Sequence, residues 1–269
     1  PELAMTGYSC GDLFLQDVLL RKAEEGLGEI AAYTKKYPAL TVVVGVPLRL
    51  GGLLYNCAAV ISDGRIRGVV PKTYLAGEMG ESRWFATASK LLVTSMRCAG
   101  QEVPLGSDLL FSLEDGTIFG VEICEDLWSP VPPSSLLALK GAHIIVNPAA
   151  STAGAGKKEE CRKLVKALSS SAICGYAFCS AGSNESTADG VYSGYCAIAQ
   201  NGRLLAQNDA EITAEQLLIT DVDLAFIRHE RLCKTSFRDT AASLPLTPPD
   251  ILCCTEAPLR SDGSLMHLN

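Results

Sequence analysis

The chain alternates between short β-branched runs and longer amphipathic ones. Residues 41–48 (TVVVGVPL) are β-branched and apolar, the pattern of a buried strand. Runs 55–62 (YNCAAVIS) and 65–70 follow, and the Asp63-Gly64 pair between them is a strong hairpin signal. Residues 118–124 (IFGVEIC) and 143–147 (HIIVN) are two further apolar strands. A short helix is predicted between them over 134–140, after a double proline that halts what precedes it. Residues 157–174 give the clearest helix, with Cys161, Leu164, Val165, Leu168, Ala172 and Ile173 near 3.6-residue spacing. Residues 12–36 are helical by pattern, closed by Pro38. Strands are predicted over 175–181, 194–200 and 217–222, with Asn201-Gly202 as a second hairpin turn. Two hairpins within this alternation predict an α/β domain with a mixed sheet, not a pure βαβ winding. Past about Asp239 the prolines at 245, 248, 249 and 258 remove all periodicity. The pattern thus predicts one domain over 1–241 and a disordered tail over 242–269.

Composition narrows the function classes. With 269 residues, 48% apolar and 20% charged, the chain is ordinary globular material. A net charge of −7 offers no broad surface to a nucleic-acid backbone. No apolar run approaches the roughly 20 residues that span a bilayer, so no membrane partner is expected. The eleven cysteines are odd in number and show no CxxC or CxxH pairing, which argues for reduced thiols, a cytoplasmic location and no metal site. Three histidines leave little room for His-based chemistry. The P-loop-like run 154–158 lacks the first glycine and the Ser/Thr, and Gly26-Leu27-Gly28 lacks a third glycine. Both are set aside.

Three residues make chemical sense together. Cys124 closes an apolar strand and is followed at once by Glu125 and Asp126, acids that a structural strand end does not need. A sulfur at a strand-to-turn junction is well placed to act as a nucleophile. It needs a base to become one, and a glutamate such as Glu2 can serve. Lys72, set after Pro71, brings an ammonium able to stabilise an oxyanion. Taken singly, each has a bland alternative: a buried thiol, a solvated lysine and a stray acid.

The segments PELAMTGYSCGDLF, VVPKTYL and VEICEDLW resemble the three signature segments of the carbon–nitrogen hydrolase (nitrilase) superfamily. More narrowly they resemble the glutaminase domain of glutamine-dependent NAD synthetase, over Pro1 to about Ala241. The resemblance implies an α-β-β-α sandwich, with Glu2 as general base, Lys72 as oxyanion stabiliser and Cys124 as nucleophile. It implies that Glu81 holds the lysine, and that Glu125, Trp128, Ser151 and Lys157 bind substrate. The stretch between Lys72 and Glu81 is about three residues shorter than the family pattern, and a glutamine-contacting tyrosine expected there is not evident.

The implied reaction converts glutamine and water to glutamate and ammonia through a thioester on Cys124. No cofactor is implied for the hydrolase. ATP and deamido-NAD belong to a synthetase domain, normally on the same chain, whose SGGxDS-type loop does not occur here. A homo-oligomer is implied by analogy. The chain opens at Pro1-Glu2-Leu3 inside a motif and reads as starting mid-protein, without the family's first strand and helix. That would leave Glu2 on a fraying terminus. Two other readings fit the same residues: a free-standing amidase acting on another small amide, and an inactive scaffold domain. Intact Glu2, Lys72 and Cys124 weigh against the second.

Overall fold

The structure, a computed structural model, describes residues 1–208, 216–248 and 250–254. The first hairpin pair forms as the pattern predicts. β1 (Thr41–Leu50), β2 (Leu53–Ser62) and β3 (Arg65–Pro71) make an antiparallel three-stranded sheet, with Asp63-Gly64 turning β2 into β3. A second two-residue turn, Gly51-Gly52, joins β1 to β2; both glycines have positive φ. β2 shows a clean period of two. Tyr55, Cys57, Ala59 and Ile61 face α1 (Asp17–Thr34), while Ala58 and Val60 face the second sheet.

The second sheet has seven strands in the order β11-β10-β9-β8-β7-β6-β12, the last being Ile251–Cys253. At its centre β7 (Ile118–Val121), β8 (Ile144–Ala149) and β9 (Gly175–Ser180) run parallel. β6 (Leu110–Ser112), β10 (Cys196–Gln200) and β11 (Arg203–Gln207) attach antiparallel, the last through the Asn201-Gly202 turn. α2 (Pro133–Leu139) and α3 (Lys157–Ser171) cover its outer face, α3 through Cys161, Val165 and Leu168. A small hairpin, β4 (Ser95–Cys98) and β5 (Gln101–Pro104), closes the edge beside β3, while α4 (Leu224–Cys233) and α5 (Thr235–Ser243) lie beyond the second sheet. The layering is therefore helix, sheet, sheet, helix. Each fully buried core Leu, Ile or Val contributes about 1.5–3 kcal/mol.

Several expectations are corrected. The helix over 12–36 is interrupted at Gln16: a 3-10 turn, Gly11–Leu15, precedes α1. The strand over 118–124 stops at Val121, which frees Cys124 to open a turn. Residues 217–222 form no strand. Leu217 and Ile219 are 85% and 76% exposed, so this apolar run has no sheet to join. The tail is not shapeless where it is described. α5 runs to Ser243, and β12 (Ile251–Cys253) adds a parallel strand beside β6, with Cys254 buried behind it. Residues 255–269 lie outside the described residues.

Glu2 does not fray. Its N–H donates to the Ala149 carbonyl of β8 at 3.2 Å, and Met5 N–H donates to Gly45 of β1 at 3.0 Å. Gly45 makes this approach possible, since a Cβ there would lie 2.2 Å from the Leu3 nitrogen and 2.6 Å from the Pro1 oxygen.

Candidate active site

Lys72 is the centre of the site. β3 ends at Pro71, and the Lys72 N–H donates to the Asn56 carbonyl of β2 at 2.8 Å, which turns its side chain inward. It is 1% exposed. Its ammonium lies 2.6 Å from Glu2 Oε1 and 2.7 Å from Glu81 Oε1. Burial alone would pull this lysine down, but Glu2, Glu81 and Cys124 hold its ammonium above the ordinary range.

Each carboxylate is fixed from a second side. Asn56 Nδ2 donates to Glu2 Oε1 at 2.7 Å. Glu81 Oε1 accepts the Tyr8 hydroxyl at 2.7 Å and its Oε2 accepts the Ala76 N–H at 2.9 Å. Glu2 Oε2 is buried and, among the described residues, has no hydrogen-bond partner. That oxygen is the one left to take a proton. Burial raises the Glu2 carboxyl to about 7, with Lys72 pulling it back and Glu81 adding to the rise.

Cys124 begins the 3-10 turn Cys124–Trp128 with φ +45°, a left-handed conformation costly for a residue with a Cβ. Its N–H donates to Asn147 Oδ1 of β8 at 2.8 Å. Burial and Glu2 push its thiol well above the ordinary value, against Lys72 and the Ala150 N–H, which favour the thiolate. The charges that bear on the sulfur are those of Glu2, Lys72 and Glu81.

The acids after Cys124 divide into two roles. Asp126 is structural: its carboxylate accepts the Ile123 N–H at 2.9 Å and the Tyr74 N–H at 2.8 Å, tying the nucleophile's turn to the segment after Lys72. Glu125 is half-buried and its carboxyl is raised by burial, in a field set by Lys72, Glu81, Glu78 and Lys157. Lys157, at the start of α3, places its ammonium 3.7 Å from the Trp128 ring centroid, so these two form one wall. Ser151 is buried at the end of β8, its N–H bonded to Ser180 Oγ at 2.8 Å.

Sequence reasoning missed the residues that hold the site. Asn147 Nδ2 donates to the Tyr176 hydroxyl at 2.8 Å, Tyr176 donates to Glu122, and Glu122 accepts the Ser134 N–H at 2.8 Å. This buried chain runs from the nucleophile to α2. Tyr8 and Asn56 were also missed, although Tyr8 lies inside a signature segment. The one local signal was polarity within strands otherwise apolar, at Asn56, Glu122 and Asn147.

An ammonium between two carboxylates, with a strained cysteine in electrostatic reach, is the arrangement that the resemblance to carbon–nitrogen hydrolases implies. The chain belongs to that family: the carbon–nitrogen hydrolase model matches residues 1–231. Among relatives, it is 39% identical over 244 residues to the glutamine-dependent NAD(+) synthetase of Mycobacterium tuberculosis, covering 89% of this chain and 36% of that protein. A solved glutamine-dependent NAD(+) synthetase from Cytophaga hutchinsonii superposes with a TM-score of 0.69 at 34% identity, over 78% of this chain and 34% of that one. An amidase from Nesterenkonia shares the fold at 18% identity, with a TM-score of 0.64 over 89% of this chain and 82% of that one. The chain spans about a third of the length of the curated relatives it matches. Among the described residues no helix is long and apolar enough to cross a membrane.

Proposed function

We propose that this domain hydrolyses the side-chain amide of glutamine and supplies the ammonia to an NAD synthetase. The observation that carries the hydrolytic chemistry is the Lys72 ammonium shared by Glu2 and Glu81, with one Glu2 oxygen bare. The names of the relatives supply the substrate and the destination of the ammonia.

In this reading Glu2 Oε2 takes the thiol proton as the Cys124 sulfur attacks the amide carbon. General-base help of this kind is worth about 10²–10⁴ in rate. The carbonyl oxygen becomes an oxyanion, and the Lys72 ammonium stabilises it. Glu2 then returns the proton to the nitrogen, the C–N bond breaks, ammonia leaves and a γ-glutamyl thioester remains on Cys124. Glu2 next takes a proton from water, hydroxide adds to the thioester, and glutamate leaves as the sulfur is reprotonated. Lys157 and Trp128 form the wall for the substrate carboxylate.

The test is mass spectrometry after incubation with diazo-oxo-norleucine, a glutamine-mimicking electrophile, alongside measured glutamate release. A single adduct on Cys124 together with glutamate production supports the reading. Labelling elsewhere, or no glutamate from an intact chain, overturns it.

A further inference from the structure

The segment between β9 and β10 crosses the catalytic cluster and is seated at two places. Near its start, the Glu185 carboxylate accepts the Tyr8 N–H at 2.8 Å, the Ser9 N–H at 3.0 Å and the Ser9 hydroxyl at 2.6 Å. Near its end, the chain lies antiparallel against the residues after β8. Ala153 N–H donates to the Val191 carbonyl, Ser193 N–H to the Ser151 carbonyl, and Thr152 pairs with Tyr192.

These contacts bring Tyr192 to the site. It is 4% exposed, and its ring meets the Tyr8 ring edge-on at 5.7 Å. The two tyrosines differ in one respect. The Tyr8 hydroxyl is spent on Glu81, whereas the Tyr192 hydroxyl is shielded from water and, among the described residues, has no hydrogen-bond partner. A buried hydroxyl left unpaired is a standing cost, and one beside a reaction site is explained most economically by a partner that arrives with the substrate. The field at this hydroxyl is acidic. After burial, the groups that most raise its pKa are Glu185, Asp189 and Glu2, with Cys124 adding to them. A cationic donor is the complement of such a place.

We propose that the Tyr192 hydroxyl oxygen accepts a hydrogen bond from the α-ammonium group of the bound substrate, making it a specificity-determining residue for α-amino amides. Glu185 acts as a positioning residue, fixing the segment that carries Tyr192. The proposal rests on the glutamine reading above and extends it to a group no signature segment contains.

The experiment compares the full chain with Tyr192→Phe on glutamine and on glutaramate, which is glutamine without its α-amino group. The expected result is a fall of roughly tenfold or more in the preference for glutamine over glutaramate, carried by KM, since a hydrogen bond to a charged group is lost. Thermal stability of the substrate-free variant should hold or rise, because an unpaired hydroxyl has been removed. Equal losses on both substrates, no change on either, or a lower melting temperature would each overturn the assignment while leaving glutamine hydrolysis intact. A parent chain that fails to hydrolyse glutamine overturns both readings together, so the two failures are distinguishable.

Discussion

The Asn147 side chain holds the backbone of Cys124: its Oδ1 accepts the Cys124 N–H at 2.8 Å where φ is +45°. The nucleophile's strained turn is thus held from the neighbouring strand as well as by Asp126 within the turn itself. Asn147→Ala should leave that buried N–H unpaired and cost about 1–3 kcal/mol in stability. Turnover should fall as well, because the sulfur is no longer aimed. Urea denaturation and glutamate release, measured together, check both halves.

On the proposed reading Lys72 does two jobs, and they can be separated. Lys72→Met leaves Glu2 and Glu81 buried without their cation, which should destabilise by about 3–5 kcal/mol. It should also lower turnover about 10²–10³-fold by loss of oxyanion stabilisation. Adding Glu81→Gln should recover part of the stability and none of the turnover. Recovery of both would make Lys72 structural only.

Position 124 trades stability for chemistry. Cys124→Ala removes the nucleophile but keeps a Cβ in the left-handed region, whereas Cys124→Gly removes both. The glycine variant should therefore be more stable than the alanine variant, by about 1 kcal/mol. Both should be inactive. Paired melting curves decide the point.

On the proposed reading the Glu2 carboxyl, raised to about 7 by burial, sets the pH dependence. Only its ionised form accepts the thiol proton, so kcat/KM should rise with pH through about 7 and level off above it. Glu2→Gln should abolish the activity and the rising limb with it. A profile flat from pH 5 to 9 would assign the base to another residue.

Lys157 stands over the Trp128 ring at 3.7 Å. Lys157→Ala should raise KM for glutamine well beyond any fall in kcat, the pattern of lost ground-state binding. A matched loss in kcat and kcat/KM would remove Lys157 from the binding wall.

Legibility in the sequence followed range. The β2–β3 hairpin was readable because Asp63-Gly64 and its flanking runs are adjacent, and α3 because its apolar stripe repeats locally. The grouping of Glu2, Lys72 and Cys124 was legible because each sits in a signature segment. Asn147, Tyr176 and Tyr192 were not, since each acquires its role only from residues brought in across the sheets. Residues 217–222 misled for the same reason. An apolar run predicts a strand only if an edge is open to receive it, and Leu217 and Ile219 face outward instead. β12 went unseen because three residues among prolines carry no period, and its pairing with β6 is decided by tertiary contact.

Asn56 and Lys72 belong to the three-stranded sheet, whereas Cys124 and Asn147 belong to the seven-stranded one, and Glu2 bridges them, with its backbone on Ala149 and its carboxylate on Lys72. Neither layer owns a complete reaction centre. A chain in which only one sheet has consolidated carries an inert thiol or an inert base. On the proposed reading, activity requires both layers docked in register, so its appearance during refolding reports that docking.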